Sequence, residues 1–497
     1  MAPEAANKSN RFSSWPDKLY WLVPPALAAL QLIYVLAART TIRDEELAES
    51  VRNVFWLDEG LVYDGVSSNV GYYGLLLVVY KLFGFSLYMA KYVRLILYAA
   101  AMVGLAAVLQ KFMRRIYAAV VLVTVGLAPT ILFFNTVQTS YGIDVSYGLI
   151  CLFVITTMKF DGTLEDLSRA FLLGALAMIA AMSYPSFLFY LPTLAFVSLL
   201  QWHRNSPKRI KEFWQSVTAG ATGFAVPFLV ALSYLKNTRE FLNDPVAKAG
   251  LFRGGGHFQP DVPSFMRSAV QSVWDVFQWG YTYYYYLEHP DFSGAIGWPA
   301  VLAIFALGVF IARKIPSFKV IFALAGFQIL FNLAVSSLAD DSGIRRSTGF
   351  LLGIYAWYAI VFCALITQAA LKKIKWPGLL LCFLLTANSL MHYPANLDDV
   401  GARTIWDDVT WFKVESTAER SLQRWLEITA RGESLVCFHR VKTDARVPCD
   451  YAKIYAALSG YRRWNGLPEI PVRAYDWNTR QERELNTKLW ENYYFPH

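Results

Sequence analysis

Charged residues are scarce in this sequence. Asp, Glu, Lys and Arg make up 17% of its 497 residues, whereas soluble domains carry about 25%. Hydrophobic residues make up 56% and aromatic residues 16%, which excludes a disordered chain. Apolar runs of about 17 to 25 residues recur between positions 19 and 391, and each is long enough to cross a bilayer as a helix. The composition therefore predicts a helical membrane protein with many crossings.

Cysteine is also rare, and its spacing excludes the common zinc motifs. None of the five cysteines forms a C-x-x-C pair, so we predict no metal site. Cys151, Cys363 and Cys382 lie in apolar runs, and Cys437 and Cys449 lie in the polar tail. The latter two would form a disulfide in an oxidising compartment or remain free thiols, and the sequence favours neither.

Two further features are missing. The first apolar run, 19–38, is not followed by an A-x-A-like cleavage site, so we interpret it as a retained helix and not a signal peptide. The chain also shows no strong internal repeat of the kind found in inverted-repeat transporters. Its net charge of +9 comes from short cationic clusters between apolar runs, a pattern that indicates membrane topology. We therefore predict no nucleic-acid partner.

The cationic clusters predict the course of the chain through the membrane. If every apolar run crossed, "KFMRR" (111–115) would lie outside, against the preference of Lys and Arg for the cytoplasm. The run 72–84 is short and interrupted by Lys81, so we predict that it lies on the outer membrane surface. About eleven crossings remain, at 19–38, 92–110, 116–134, 142–158, 169–183, 186–201, 216–235, 295–312, 319–337, 348–370 and 376–391.

This topology divides the chain into two parts. Residues 1–391 form an all-α transmembrane module with outer loops at 39–91 and 236–292. Residues 392–497 lose transmembrane character, and alternating helix and strand patterns predict a small extracytoplasmic α/β domain. Its strands are expected at "SLVCFH" and "PVRAYDW". We expect the protein in the inner (plasma) membrane, with this domain in the periplasm.

Ionisable residues at the membrane surface are costly and often mark function. On this topology Asp58 and Glu59 of "FWLDEG" lie in the first outer loop, and Asp144 begins a helix on the same side. Four cations face the same side: Lys91, Arg94, Arg345 and Arg346. A carboxylate can act as a general base, and arginine recognises phosphate. The alternatives are local: the acidic pair as a solvated turn or helix cap, the arginines as partners of Asp340 and Asp341, and Asp144 as a buried polar contact.

Two outer-loop stretches add weaker candidates. "LFRGGGHF" (251–258) places Arg253 and His257 beside flexible glycines that could cradle a phosphate, or it is a plain loop. "YTYYYYLEH" (281–289) could stack on a sugar, or it belongs to the aromatic belt at the membrane interface. The predicted substrate- or acceptor-binding residues are Asp144, Tyr141, Tyr72, Tyr73, His257 and Arg253.

Four stretches together resemble the polytopic GT-C glycosyltransferases, especially the branch with the protein O-mannosyltransferases and the lipid A aminoarabinose transferases. They are "WLDEG" after the first helix, "LFGFSLYMAKYVRLILYAAA" (82–101) with Arg94 in an arginine position, "SYGIDVSYGLICLFV" (140–154) with Asp144, and "IRRSTGFLLGIYAWYAI" (344–360). Each motif is unspecific, and it is their order and shared side that carry the resemblance.

The resemblance implies an inverting transfer of a sugar from a polyprenyl-phosphate donor to an acceptor hydroxyl at the outer face. Asp58 would take the acceptor proton and Glu59 would position the acceptor. Arg345 or Arg346, with Lys91 or Arg94, would hold the donor phosphate. No cofactor is obligatory, and the sequence leaves a divalent cation open. The acceptor would be a glycan, a lipid or a protein. The alternatives are an O-antigen ligase or polymerase, and a transporter or flippase of lipid-linked glycans.

Overall fold

The computed structural model describes residues 19–37, 53–62, 69–84, 89–127, 142–239, 298–314 and 319–338, three strands after residue 434, and a few isolated positions. Their secondary structure is mainly helical. The helices are α1 (Val23–Ala37), α2 (Asn53–Asp58), α3 (Val70–Phe83), α4 (Met89–Leu109), α5 (Arg115–Gly126), α6 (Ile143–Thr157), α7 (Leu164–Ser183), α8 (Leu191–Asn205), α9 (Ile210–Tyr234), α10 (Trp298–Lys314) and α11 (Lys319–Leu338), with a 3₁₀ turn at Pro185–Tyr190 before α8.

Three of the described helices are long and apolar enough to cross a membrane, namely α4, α7 and α9. Helices occur at nine of the predicted crossings, and the crossings at 348–370 and 376–391 lie outside the described residues. The number of crossings thus stays a prediction. One boundary differs clearly: α5 ends at Gly126, whereas the apolar run continues to 134. Pro129 explains the early end, because proline disfavours helical backbone in the residue before it and lacks an amide donor.

Helix α7 packs closely on α9. A Cβ atom at Gly174 would overlap the carbonyl of Gly220, and one at Gly223 would overlap the carbonyl of Phe171. Only glycine permits this backbone approach, which is a common device for joining helices in lipid. Gly162, just before α7, lies beside Glu212 in the first turn of α9, and Gly174 lies beside Phe224, so residues about fifty positions apart face each other and the two helices run parallel. Their carboxyl ends therefore lie at the same end of the bundle.

That end also holds α2 and α3. A Cβ atom at Gly60 would lie 3.0 Å from the carbonyl oxygen of Tyr234, and one at Gly71 would lie 2.9 Å from the Ser183 nitrogen. The amino ends of α4 and α6 lie at this end as well, because their carboxyl ends meet at the other one, where Lys111 Nζ donates to the Thr156 carbonyl. We call this the Asp58 end.

The basic turns lie at the opposite end. Lys111 Nζ donates to the Thr156 carbonyl at 2.6 Å, and Ser206 Oγ donates to the Lys159 carbonyl at 3.0 Å. These contacts bring together the turns 111–115, 159–169 and 203–211, including the nearly neutral "KFDGTLEDLSR" turn. We call this the Lys111 end. All three turns thus lie opposite Asp58, as the charge argument requires.

Three strands follow in the polar tail: β1 (Leu435–His439), β2 (Val472–Asp476) and β3 (Gln481–Leu485). The first two match the predicted strands and pair in parallel, with Cys437 opposite Ala474. The third pairs antiparallel with β2 and was not predicted. The predicted helices of the tail and Cys449 lie outside the described residues, so the α/β domain and its boundary at 392 stay predictions, and both alternatives for Cys437 and Cys449 stay open.

Candidate functional site

The "FWLDEG" segment is the end of a short helix. Gly60 adopts φ +75°, its amide donates to the Leu57 carbonyl at 2.9 Å, and the Leu61 amide donates to the Trp56 carbonyl at 2.9 Å. This pair of hydrogen bonds around a left-handed glycine is the Schellman motif, which closes helix carboxyl ends. Asp58 is therefore the last residue of α2, and Glu59 follows it directly. The acidic pair thus lies at a helix end, as the local alternative of a turn or helix cap expects.

Helix capping does not account for the two acids. The carboxyl end of a helix carries partial negative charge, and a carboxylate there is unfavourable by about 0.3–1 kcal/mol. Asp58 and Glu59 both occupy this end and are both partly buried, with 30% of the Asp58 side chain exposed. The helix dipole therefore disfavours both carboxylates at this position.

Lys81 partners Asp58. Its ammonium forms an ion pair with Asp58 Oδ1, and 54% of the lysine side chain is exposed. This hydrogen bond to the carboxylate raises the pKa of Lys81 above its ordinary value. Lys81 lies in the last turn of α3, where the helix dipole also favours a cation. The run that the sequence places on the membrane surface thus supplies a charge to the acidic turn.

The last residue of α9 and the segment that follows it hold the same turn by hydrogen bonds to its backbone. Tyr234 Oη donates to the Asp58 carbonyl at 2.9 Å, and the Lys236 amide donates to the Gly60 carbonyl at 2.7 Å. The side-chain amide of Asn237 bonds both backbone groups of Val62, accepting from its N–H at 2.9 Å and donating to its carbonyl. Residues 58, 60 and 62 are therefore fixed by a segment about 175 positions away in the sequence.

The other predicted residues of this end are buried. Lys91, Arg94 and Asp144 expose 0%, 1% and 0% of their surface. Each has polar interactions within the protein. Tyr72 and Tyr73 are also buried, inside the cluster that α3 shares with α4 and α6. All five thus lie at the Asp58 end as buried side chains and not on an open surface.

Five predicted residues lie outside the described part of the chain, and their roles stay predictions. They are Tyr141, Arg253, His257, Arg345 and Arg346. Among the residues that the structure does describe, no group of three or more His, Cys, Asp or Glu side chains could hold a metal ion.

Comparisons with known proteins do not assign this chain to a family. No family model matches the chain, and no curated protein matches it. The structure is similar to that of the archaeal oligosaccharyltransferase AglB from Archaeoglobus fulgidus, solved in complex with an inhibitory peptide and a dolichol-phosphate, with a TM-score of 0.42 and 11% identity. The match covers 83% of this chain and 60% of that enzyme, so the chain spans less than two thirds of its length. At this TM-score and identity the similarity does not show a shared function.

Two sets of contacts with the acidic turn are not predicted from the sequence. Lys81 was noted only as an interruption of an apolar run, although a lone lysine in such a run is itself a signal of a charged partner nearby. The Tyr234–Asn237 segment gave no signal, because most of its contacts use backbone groups of residues 58–62.

Proposed function

We propose that the protein is an integral-membrane glycosyltransferase that moves a sugar from a polyprenyl-phosphate donor to an acceptor hydroxyl at the extracytoplasmic face, with inversion. One observation carries the proposal: a partly exposed carboxylate, Asp58, held at an unfavourable helix end by an interfacial lysine and by backbone hydrogen bonds from α9. A carboxylate fixed this firmly at the membrane surface suits a general base for a reaction on a membrane-bound substrate.

In the proposed reaction the acceptor oxygen bonds to the anomeric carbon while its proton passes to Asp58. The bond between that carbon and the phosphate oxygen breaks, and the electron pair leaves with the polyprenyl phosphate. The developing negative charge on the phosphate needs cations nearby. Glu59, one residue further along the same turn, is placed to orient the acceptor.

The sidedness of the bundle supports this proposal over transport. The described basic turns gather at the Lys111 end, and the acidic turn lies at the other. A transporter would be expected to need ionisable groups near the centre of the membrane or accessible from both faces. Lys91, Arg94 and Asp144, although buried, all belong to helix ends on the Asp58 side.

The test combines a deletion strain with mass analysis of its lipid-linked sugars. Without the protein, a sugar on a polyprenyl phosphate should accumulate on the outer face and one glycan, lipid or protein product should be lost. The wild-type gene should reverse both changes, and Asp58→Asn should reverse neither.

Asp161→Asn is the matched control. Asp161 is a partly exposed carboxylate at the Lys111 end that accepts a hydrogen bond from the Thr163 hydroxyl at 2.7 Å, and the Asp161→Asn gene should restore transfer fully. Full activity of Asp58→Asn would exclude Asp58 as the base. Accumulation of the lipid-linked sugar on the cytoplasmic face alone would instead identify a flippase.

A further inference from the structure

The burial of Lys91 and Arg94 sets apart two of the four cations that the sequence predicts for the donor phosphate, and the other two, Arg345 and Arg346, lie outside the described residues. Lys91 and Arg94 expose 0% and 1% of their surface, so a phosphate arriving from the membrane surface does not reach them in this conformation. The described cations that solvent reaches beside Asp58 are different ones, Lys81 and Lys236.

Both lysines lie at the Asp58–Gly60 turn. Lys81 contacts the Asp58 carboxylate directly. The Lys236 side chain lies over Gly60, with its Cγ and Cε atoms 3.5 Å and 3.7 Å from the position that a glycine Cβ would take. Its backbone amide donates to the Gly60 carbonyl, which fixes the start of the side chain. Two flexible cations, supplied by α3 and by the segment after α9, therefore flank one acidic turn.

An exposed apolar face adjoins Lys81. Val78 and Leu82 expose 55% and 70% of their surface, and they lie three residues before and one residue after Lys81 on the helix. Positions i, i+3 and i+4 share one helix face, so Val78 lies beside Lys81 and continues into Leu82 as an exposed apolar strip along one side of the lysine. Phe83 at the end of α3 is 75% exposed as well. A cation beside an apolar strip at a membrane surface matches a molecule that joins a phosphate to a hydrocarbon chain.

We infer that Lys81 and Lys236 form the binding site for the phosphate of a polyprenyl phosphate, with the prenyl chain along the Val78–Leu82 face of α3. This inference rests on the proposed function and assigns its donor phosphate to residues that the sequence did not indicate. When the phosphate binds, the Lys81 ammonium is shared between it and Asp58. The lysine pair then stabilises the charge that grows on the phosphate as the sugar leaves.

Binding of farnesyl phosphate to the purified full-length protein in phosphatidylcholine nanodiscs tests the site without any turnover. Lys81→Gln and Lys236→Gln should each weaken binding about tenfold or more, the usual loss for a charge-assisted hydrogen bond. Lys81→Arg should restore most of it. Lys208→Gln is the matched control, since it removes an exposed lysine at the Lys111 end and should leave affinity unchanged. Farnesol, which has the chain without the phosphate, should bind weakly to every variant.

Wild-type affinity for farnesyl phosphate in the Lys81→Gln, Lys236→Gln double variant would overturn the assignment. Equal competition by phosphatidylglycerol would also overturn it, because the site would then be a surface for any anionic lipid. Thermal unfolding of each variant distinguishes a lost site from a lost fold. The outcome is separate from that of the proposed function: an active Asp58→Asn enzyme would refute the base, whereas unchanged farnesyl phosphate binding would refute only the lysine site.

Discussion

Gly60 is the residue at which the geometry of the acidic turn can be tested most cleanly. Its φ of +75° lies in the left-handed region, and alanine there costs about 1–2 kcal/mol of stability. The new Cβ atom would also lie 3.0 Å from the Tyr234 carbonyl oxygen, closer than ordinary contact, so the turn and α9 must separate by a few tenths of an ångström. Because the Tyr234 segment fixes the Asp58 backbone, this separation moves the carboxylate.

The expected loss of transfer follows from that displacement. Misplacing a catalytic group by 1 Å costs about a hundredfold in rate, so a shift of a few tenths should cost roughly three- to tenfold. Gly162→Ala provides the control: Gly162 has φ +77° and equally close neighbours, but these are the flexible side chains of Glu212 and Gln215 at the Lys111 end. Both variants should lose similar thermal stability, and only Gly60→Ala should lose transfer. Equal transfer rates in the two variants would refute the claim that the hydrogen bonds from residues 234–237 position Asp58.

Three further predictions concern the packing of α7 on α9, the Asn237 contacts with Val62, and the Lys81–Asp58 ion pair. Gly174→Ala should destabilise the protein by about 1–3 kcal/mol because the new methyl group meets the backbone of α9. Gly74→Ala, with its nearest neighbour 3.8 Å away, should instead stabilise α3 by about 0.5–1 kcal/mol. Thermal unfolding measures both variants, and equal effects would contradict the close packing of α7 on α9. Asn237→Ala should reduce the transfer rate more than Asn205→Ala, because Asn237 holds Val62 beside the acidic turn whereas Asn205 makes an amide contact at the Lys111 end. The reverse order of rates would argue against a role of Asn237 in positioning the turn. Lys81→Met should lower the free energy of unfolding by at most about 1 kcal/mol. Because the folded pKa of Lys81 is raised above its ordinary 10.5, this loss should be fully present below pH 10.5 and disappear as pH rises through the folded pKa. A loss of stability that persists at higher pH would exclude the ion pair as its source.

The sequence predicted the placement of elements better than the contacts between them. Run length and Lys81 predict that α3 does not cross, since 14 residues at about 1.5 Å each reach only about 21 Å, and this stays a prediction. Cationic clusters were enough to place Asp58 opposite the basic turns, because charge is expensive inside lipid. These inferences use the properties of the bilayer, which act on each segment separately.

Burial and long-range pairing were beyond the sequence. Nothing in "MAKYVR" shows that Lys91 and Arg94 point into the bundle, because that direction depends on how α4 packs against its neighbours. The contacts from residues 234–237 act mainly on backbone groups, which every residue type has. Strand β3 was missed for another reason: "QEREL" is charged and lacks the alternation of apolar and polar residues that predicts a half-buried strand.

Transfer by purified protein tests the central claim most directly. Radiolabelled lipid-linked sugar from the deletion strain would be supplied to proteoliposomes that contain the wild-type protein, Asp58→Asn or Asp161→Asn, together with the acceptor fraction of that strain. The account predicts that label leaves the lipid fraction with wild-type protein and Asp161→Asn, and remains there with folded Asp58→Asn. Release of label at the wild-type rate by Asp58→Asn would contradict it.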